Sequence, residues 1–470
     1  MASRGWIACG LGLMAAIACE SSDEGAPPAG EAGRGGEAGM SGAAGGETSA
    51  ASGASAGSRS GGIAGSGGST GSTGGSGDHA GSPAGGAGEP SAAGAGGAGG
   101  GQAGAGSGGE GGEGGEGGGA ESGPAVAYVS TLFGELLVAS LDPATGEPEL
   151  RGSAPIEVEG NLNGVIVSPN RKFLFVPADP ARIDTYAIQP DGSLPEEPSS
   201  SAEVDDENPL LTMAVDPLGR FAYGVSPFSQ TIYVFGVDQT TGELTPTGEP
   251  LLVGPGPTHR GPAFVAPAPS GRFVYVTQMP DGPPTDDDGI RCYAVDQLTG
   301  ELSEVEGSPF SAAPVFGGAL AFRPDGKFLY STGGGLNAFA VDVATGELNV
   351  LEGSPFSTDV QSDPWAPSIA MDPRGRRLYI SNFGATRHIT GFAIDAATGS
   401  PQKLPGDPVQ TPSPYSIALG PGGRFLYVGD DTSQISVFSV SGKSGALTQL
   451  AGSPFPFGGL EPDIAFVSLP

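Results

Sequence analysis

Two histidines, His259 and His388, each stand beside an arginine, Arg260 and Arg387, and no other histidine occurs after residue 124. An imidazole next to a guanidinium can move a proton while an anion or polarised carbonyl is held in place, so these four are the candidate catalytic residues. No general base is singled out among them, and an exposed loop position accounts more readily for His259 than a catalytic role does. Gln278, Trp365, Asn382, Tyr415 and Asp430 are candidate ligand-binding residues, the aromatics because they can stack on a sugar. The acidic runs Asp205-Asp-Glu207, Asp286-Asp-Asp288 and Asp430-Asp431 carry the oxygens a hard cation such as calcium takes. None has a recognisable ligand spacing, so no metal and no other cofactor is expected.

These residues must be positioned by a repeat of about fifty residues. Its turn recurs as Pro169-Asn-Arg-Lys172, Pro217-Leu-Gly-Arg220, Pro269-Ser-Gly-Arg272, Pro324-Asp-Gly-Lys327, Pro373-Arg-Gly-Arg376 and Pro421-Gly-Gly-Arg424, at intervals of 48, 52, 55, 49 and 48. After each turn come a Phe/Leu-Tyr-apolar strand, a second strand, an Asp-x-x-Thr-Gly-Glu-Leu turn and, in several copies, Gly-Ser-Pro-Phe. Repeats of this length built from short strands predict propeller blades. In the strand at 231–237, Ile232, Val234 and Gly236 alternate with Tyr233, Phe235 and Val237, which gives two faces apolar enough to pack between neighbouring blades. The Thr-Gly-Glu element reads as a hairpin turn, its glycine supplying a positive φ. The prolines of Ser-Pro-Phe at 308–310, 354–356 and 453–455 read as protection of an outer edge.

The fold expected is all-β: a seven-bladed β-propeller of four-stranded antiparallel blades over residues 124–470. The first blade begins with a second strand at 125–130. Asp463-Ile-Ala-Phe-Val467 aligns with the first strand Ser416-Ile-Ala-Leu-Gly420, so the ring should be closed by a C-terminal strand at 463–468.

In such a fold the loops joining strands two and three, and those joining successive blades, share one rim of the central channel, where His259, Arg260, Arg387, His388 and Arg182 belong. Of 17 basic residues after 124, nine sit in the first hairpin turns on the opposite rim. They are expected to be solvated and balanced by neighbouring acids.

The chain before the repeats cannot build a core. From Glu20 to Gly123 the only large aliphatic side chains are Met40 and Ile63, too few to offset conformational entropy. Residues 19–123 therefore read as a disordered Gly/Ala/Ser linker, with a mean span on the order of 50 to 60 Å. Residues 1–18 read as an export signal: Arg4 precedes an apolar run from Trp6 to Ala18 that is too short for a permanent membrane span. The run ends Ala16-Ile17-Ala18-Cys19, which resembles a bacterial lipobox, so Cys19 is expected to be lipidated and the protein to be an exported, membrane-anchored lipoprotein on the outer membrane, in the periplasm or at the cell surface. Of three cysteines only Cys292 then remains in the folded part, where a buried apolar thiol is expected. The net charge of −32 divides as +1 for the signal, −10 for residues 20–124 and −23 (17 basic against 40 acidic) for the rest. That surface excludes nucleic acid and leaves the lipid anchor as the only membrane contact.

The units Gly271-Arg-Phe-Val-Tyr-Val-Thr277, Gly326-Lys-Phe-Leu-Tyr-Ser-Thr332 and Gly423-Arg-Phe-Leu-Tyr-Val-Gly429, with the Thr-Gly-Glu-Leu turn, resemble the seven-bladed lactonase family, which includes 6-phosphogluconolactonase-like enzymes and is similar to YVTN-repeat surface proteins. The resemblance covers 125–470 and implies a site of histidine, arginine and glutamate projecting into the channel; Gly256-Pro-Thr-His259-Arg260 is similar to the family's Pro-Arg-His element, though His259 lies farther from Pro269. Where the family often carries Asn-Glu after Tyr275, this chain has Gln278-Met279. The function expected is a monomeric, extracytoplasmic propeller that binds a small molecule, carbohydrate or protein at one rim, with lactone (carboxylic ester) hydrolysis as the alternative. Few rim cations and an export signal argue against a phosphorylated cytosolic substrate.

Overall fold

Every repeat places aromatic or β-branched residues in its second strand, and those strands are buried nearly throughout. The computed structural model describes residues 124–470 apart from 153, 205–207, 254–259, 280–288, 311–317, 359–367, 384–385, 407, 460–461 and 470. The segments read as signal and linker lie outside the described residues.

Seven antiparallel sheets of four strands each, several with a divided outermost strand, follow one another along the chain. Their innermost strands are Asp463–Ser468, Ile166–Val167, Thr212–Val215, Arg260–Pro267, Leu320–Phe322, Ile369–Met371 and Pro414–Leu419, which define blades 1 to 7. Blade 1 is the composite one expected. Ala125–Ser130 pairs antiparallel with Asp463–Ser468, from Ser130 opposite Asp463 to Ala125 opposite Ser468.

Seven apolar clusters fill the seven seams between blades. Tyr233 and Phe235 join the cluster shared with blade 2, whereas Ile232 joins the one shared with blade 4, as the alternation at 231–237 requires. The seam of blades 7 and 1 is a full member of the set, with Tyr427, Ile435 and Val437 packed on Ala127, Val129 and Leu137.

The repeat motifs also reach across the seams. The tyrosine of the second strand donates its hydroxyl to the glycine carbonyl of the next blade's third turn: Tyr128 to Gly192 at 3.0 Å, Tyr275 to Gly346 at 2.8 Å, Tyr330 to Gly399 at 2.7 Å, Tyr379 to Gly445 at 2.7 Å and Tyr427 to Gly146 at 2.9 Å. In blade 2 Phe175 takes the tyrosine's place and Thr185 donates to Gly242 at 3.3 Å instead. These turn glycines are needed twice over: their φ values are positive, and a Cβ on Gly146, Gly300 or Gly346 would come within 2.5–2.8 Å of the Phe425, Phe221 or Phe273 ring of the preceding blade. The Thr-Gly-Glu element is thus a docking point as well as a hairpin.

The basic ring on this rim is engaged in the same way. Arg272 donates to the Val343 carbonyl at 3.5 Å, Arg323 to that of Ala396 at 3.0 Å and Arg424 to that of Pro143 at 3.1 Å, each in the next blade. Backbone carbonyls take up these cations, along with local acids such as Asp216, 2.9 Å from Arg220. The Ser-Pro-Phe motif has a different basis from edge protection alone. Ser308, Ser354 and Ser453 each accept, through Oγ, the backbone N–H of a third-strand residue, Cys292 at 3.1 Å, Ala338 at 3.1 Å and Val437 at 2.8 Å. The serine fills the gap where the outermost strand divides, and Phe310, Phe356 and Phe455 then pair with the third strand again.

Candidate functional site

Cys292 sits opposite Tyr275, buried, and burial pushes its thiol up to about 12. A thiol so held is not a nucleophile at neutral pH, in agreement with its reading as core. The other candidate residues belong to the rim of the channel opposite the docking turns.

There the seam of blades 6 and 7 gathers five of the sequence candidates. Asn382 ends the second strand of blade 6 and donates to the His388 carbonyl at 3.3 Å and to Thr390 Oγ1 at 3.1 Å. His388, buried, sets Nδ1 2.7 Å from the Thr386 carbonyl and Nε2 3.1 Å from that of Thr358. Both ring nitrogens face backbone oxygens, so the imidazole works as a strut between the 386–388 segment and Thr358. Arg387 is exposed. Its guanidinium lies 5.7 Å from the centre of the Phe383 ring and 3.9 Å from Asp431. Phe383 in turn meets the buried Tyr415 ring edge-on at 5.7 Å. Asp430 is buried, and its Oδ1 accepts the Thr432 N–H at 2.8 Å, the Thr432 hydroxyl at 2.7 Å and the Gln434 N–H at 3.2 Å. Its Oδ2 has no protein partner, nor have the buried Thr411 Oγ1, Ser413 Oγ and Asp431 Oδ1 nearby.

The polar band continues through the closing strand. Ser416, beside Tyr415, donates to the Pro462 carbonyl. Asp463 follows, and its Oδ2 accepts the Val165 N–H at 3.3 Å. Two residues earlier Asn163 donates to Asp179 Oδ1 at 2.9 Å, and Asn161 donates to Oδ2 of the same carboxylate at 3.1 Å. Asn163 Oδ1 is buried without a protein partner. Loss of solvation holds both Asp179 and Asp463 above the usual carboxylate range; for Asp179 the amide donors pull the other way, for Asp463 the N–H groups of Ile464 and Val165 do. Neither acid is singled out by the sequence, because Asp463 reads only as the start of a strand and Asp179 as a loop residue before Pro180. The one available signal is that Asp463 stands where the aligned blade has Ser416.

The remaining candidates lie apart. Gln278 is buried in blade 4 and accepts from Arg291 Nε at 2.8 Å, while Arg291 also pairs with Glu304 at 2.6 Å. Arg260 opens the inner strand of blade 4 opposite Met279. Arg182 pairs with Asp184 at 2.9 Å. His259, Trp365 and the acidic runs at 205–207 and 286–288 lie outside the described residues. Among the described residues no cluster of three or more histidine, cysteine or acidic side chains could hold a metal ion.

A seven-bladed propeller of four-stranded blades, closed by its last strand and carrying a polar band at one channel mouth, is the class these features define. The chain belongs to the family described as lactonase, 7-bladed beta-propeller, whose model matches residues 164–354 and 319–457. It is 24% identical over 314 residues to the 6-phosphogluconolactonase of Photorhabdus laumondii, covering 66% of this chain and 89% of that one. Among solved structures it resembles a putative 6-phosphogluconolactonase from Bacteroides fragilis (TM-score 0.61, 21% identity, 73% of this chain and 98% of that chain). It also resembles the periplasmic gluconolactonase PpgL of Pseudomonas aeruginosa (TM-score 0.62, 21% identity, 74% of this chain and 100% of that one).

Proposed function

We propose that this chain is an exported, lipid-anchored member of the lactonase family that binds a small, uncharged, hydroxyl-rich molecule at the channel mouth, acting as a monomer. The observation that carries this reading is the row of buried oxygens without protein partners on one arc of the rim: Thr411, Ser413, Asp430 and Asp431 in blade 7 and its approach, and Asn163 in blade 2. Burying polar atoms unpaired costs about 1–3 kcal/mol each, and a polyol would return the missing hydrogen bonds. The arginines of this arc whose side chains are described, Arg182 and Arg387, already face carboxylates, which favours a neutral ligand over a phosphorylated one. Isothermal titration of the full chain with glucono-1,5-lactone, gluconate and 6-phosphogluconate tests this. Binding of a neutral compound that weakens roughly tenfold in Asp430→Ala is expected, and preference for the phosphorylated compound would refute it.

A second reading is hydrolysis of a neutral lactone. Family membership and the names of the relatives favour it, PpgL in particular being a periplasmic enzyme. Release of acid from a panel of lactones, measured with and without calcium and in His259→Ala and His388→Ala, tests it; absence of turnover on every lactone would leave binding alone.

A further inference from the structure

Among the described residues, four seams of the ring are bridged near the channel by a side chain on or just before an inner strand, and three of these are hydroxyls. Thr212 donates to the Ala263 carbonyl at 3.0 Å, Ser368 Oγ accepts the Ile417 N–H at 3.1 Å, and Ser416 donates to the Pro462 carbonyl. At the seam of blades 1 and 2 the bridge is made by Asp463, which accepts the Val165 N–H at 3.3 Å. A hydroxyl suffices for this bridge elsewhere, yet here a carboxylate stands, the only acidic residue on any described inner strand. The Asp463 carboxylate accepts two backbone N–H groups, those of Val165 and Ile464, fewer than the roughly four acceptor positions a carboxylate offers. Blade 2 makes room for the group: Gly164 lies against it, and a Cβ there would be 2.9 Å from Asp463 Oδ2. Asp463 is partly accessible, whereas Asp430 and His388 are buried.

We propose that Asp463 is the general base of a lactone-opening reaction at the channel mouth, an inference that rests on the hydrolytic reading above. The Asp463 carboxylate takes a proton from a water molecule as that water's oxygen forms a bond to the lactone carbonyl carbon. The bond between that carbon and the ring oxygen then breaks, the ring oxygen leaving with the electron pair. It takes the proton back from the Asp463 carboxyl, which gives the open hydroxy acid and regenerates the carboxylate. Water is the one co-substrate consumed, and no oxidant or reductant is needed. Asn163 Oδ1, free of protein partners, accepts from a hydroxyl of the ligand and fixes its orientation.

Loss of solvation holds Asp463 above the ordinary carboxylate range, opposed by the backbone N–H groups of Ile464 and Val165. The titratable groups on the elements around it are Tyr128, whose hydroxyl is turned to Gly192, Tyr415 on the neighbouring inner strand, Tyr427, with its hydroxyl on Gly146, Asp430, like Tyr427 on the strand beside that one, and Asp179 behind Asn163; Glu461 lies outside the described residues. A base so placed becomes more effective as pH rises through its raised value.

The test is the kinetics of glucono-1,5-lactone opening by the full chain, corrected for spontaneous hydrolysis. Asp463→Asn and Asp463→Ser should each lose roughly 100-fold or more in kcat with little change in KM, while thermal unfolding stays cooperative. Ser368 accepts the Ile417 N–H as Asp463 accepts that of Val165, so this second variant keeps the test valid should asparagine disturb the seam. The rising limb of the wild-type pH profile should vanish in both. Turnover within about threefold of wild type in a folded variant overturns the role of Asp463 and leaves the hydrolytic reading intact. A wild-type chain that binds the lactone without opening it overturns both.

Discussion

The Tyr427 hydroxyl donates to the Gly146 carbonyl at 2.9 Å, joining residues 281 positions apart across the seam where the ring closes. Tyr223, its counterpart in blade 3, is equally buried but its hydroxyl has no protein partner. Removing one hydroxyl therefore strands a buried carbonyl, and removing the other strands nothing. Tyr427→Phe should destabilise the domain by about 1–3 kcal/mol in denaturant unfolding, while Tyr223→Phe should be neutral or slightly stabilising. Equal losses in the two variants would show that the latch does not hold the seam.

Gly346 combines a φ of 83° with a contact in which a Cβ would lie 2.7 Å from the Phe273 ring. Gly346→Ala should lower stability by roughly 2 kcal/mol or more, through backbone strain and a displaced core ring. Gly406 has a similar φ, 87°, with nothing within 4 Å of a Cβ, so Gly406→Ala should suffer the strain alone. Comparing their melting temperatures separates the two contributions.

Ending the chain at Leu460 should abolish cooperative unfolding, because it strips the inner strand from blade 1 and exposes the edge of Ala125–Ser130. Calorimetry of the shortened chain is the measurement; a single sharp transition near the wild-type temperature is the outcome that contradicts it.

Acid should loosen the rim that bears the latches. Asp142, Asp238, Asp296, Asp342 and Asp395 are held below the ordinary carboxylate range, mainly by backbone N–H groups from the turn threonine, or from Ala344 for Asp342. A folded-state value below the unfolded one contributes stability that is fully present above the unfolded value, about pH 4, and is lost as pH falls through the folded value. Stability followed between pH 5 and 2 should fall less steeply in Asp342→Asn than in wild type.

Cys19→Ser should move the protein from the membrane fraction to the soluble one. Continued membrane association after that change would refute lipidation as the anchor.

The repeat was legible because its turns obey local rules: Pro217-Leu-Gly-Arg220 announces a hairpin wherever it occurs, and the alignment of Asp463 with Ser416 located the closing strand. What joins the blades was hidden for a physical reason. Tyr427 and Gly146 each have a sufficient local explanation, as a strand aromatic and as a turn glycine, and only the closed ring brings them together. The site was legible in part. Asn382, Arg387, His388, Tyr415 and Asp430 were singled out separately and meet at one seam, but the commitment of both His388 nitrogens to the Thr386 and Thr358 carbonyls depends on the third dimension. The environment of Asp463 could not be read at all, since the residues that meet it across the seam, Gly164 and Val165, lie some three hundred residues away in the chain.

All five tyrosine latches end on turns at the rim remote from the channel mouth. The tyrosine hoops thus lie at one end of the ring, like bands at the base of a barrel, while short side-chain bridges tie the inner strands near the other. Mouth loops such as 131–134 and 227–230 can be exchanged or lengthened without cutting a tyrosine band, so that ligand preference can be regrafted while the hoops keep the staves in place.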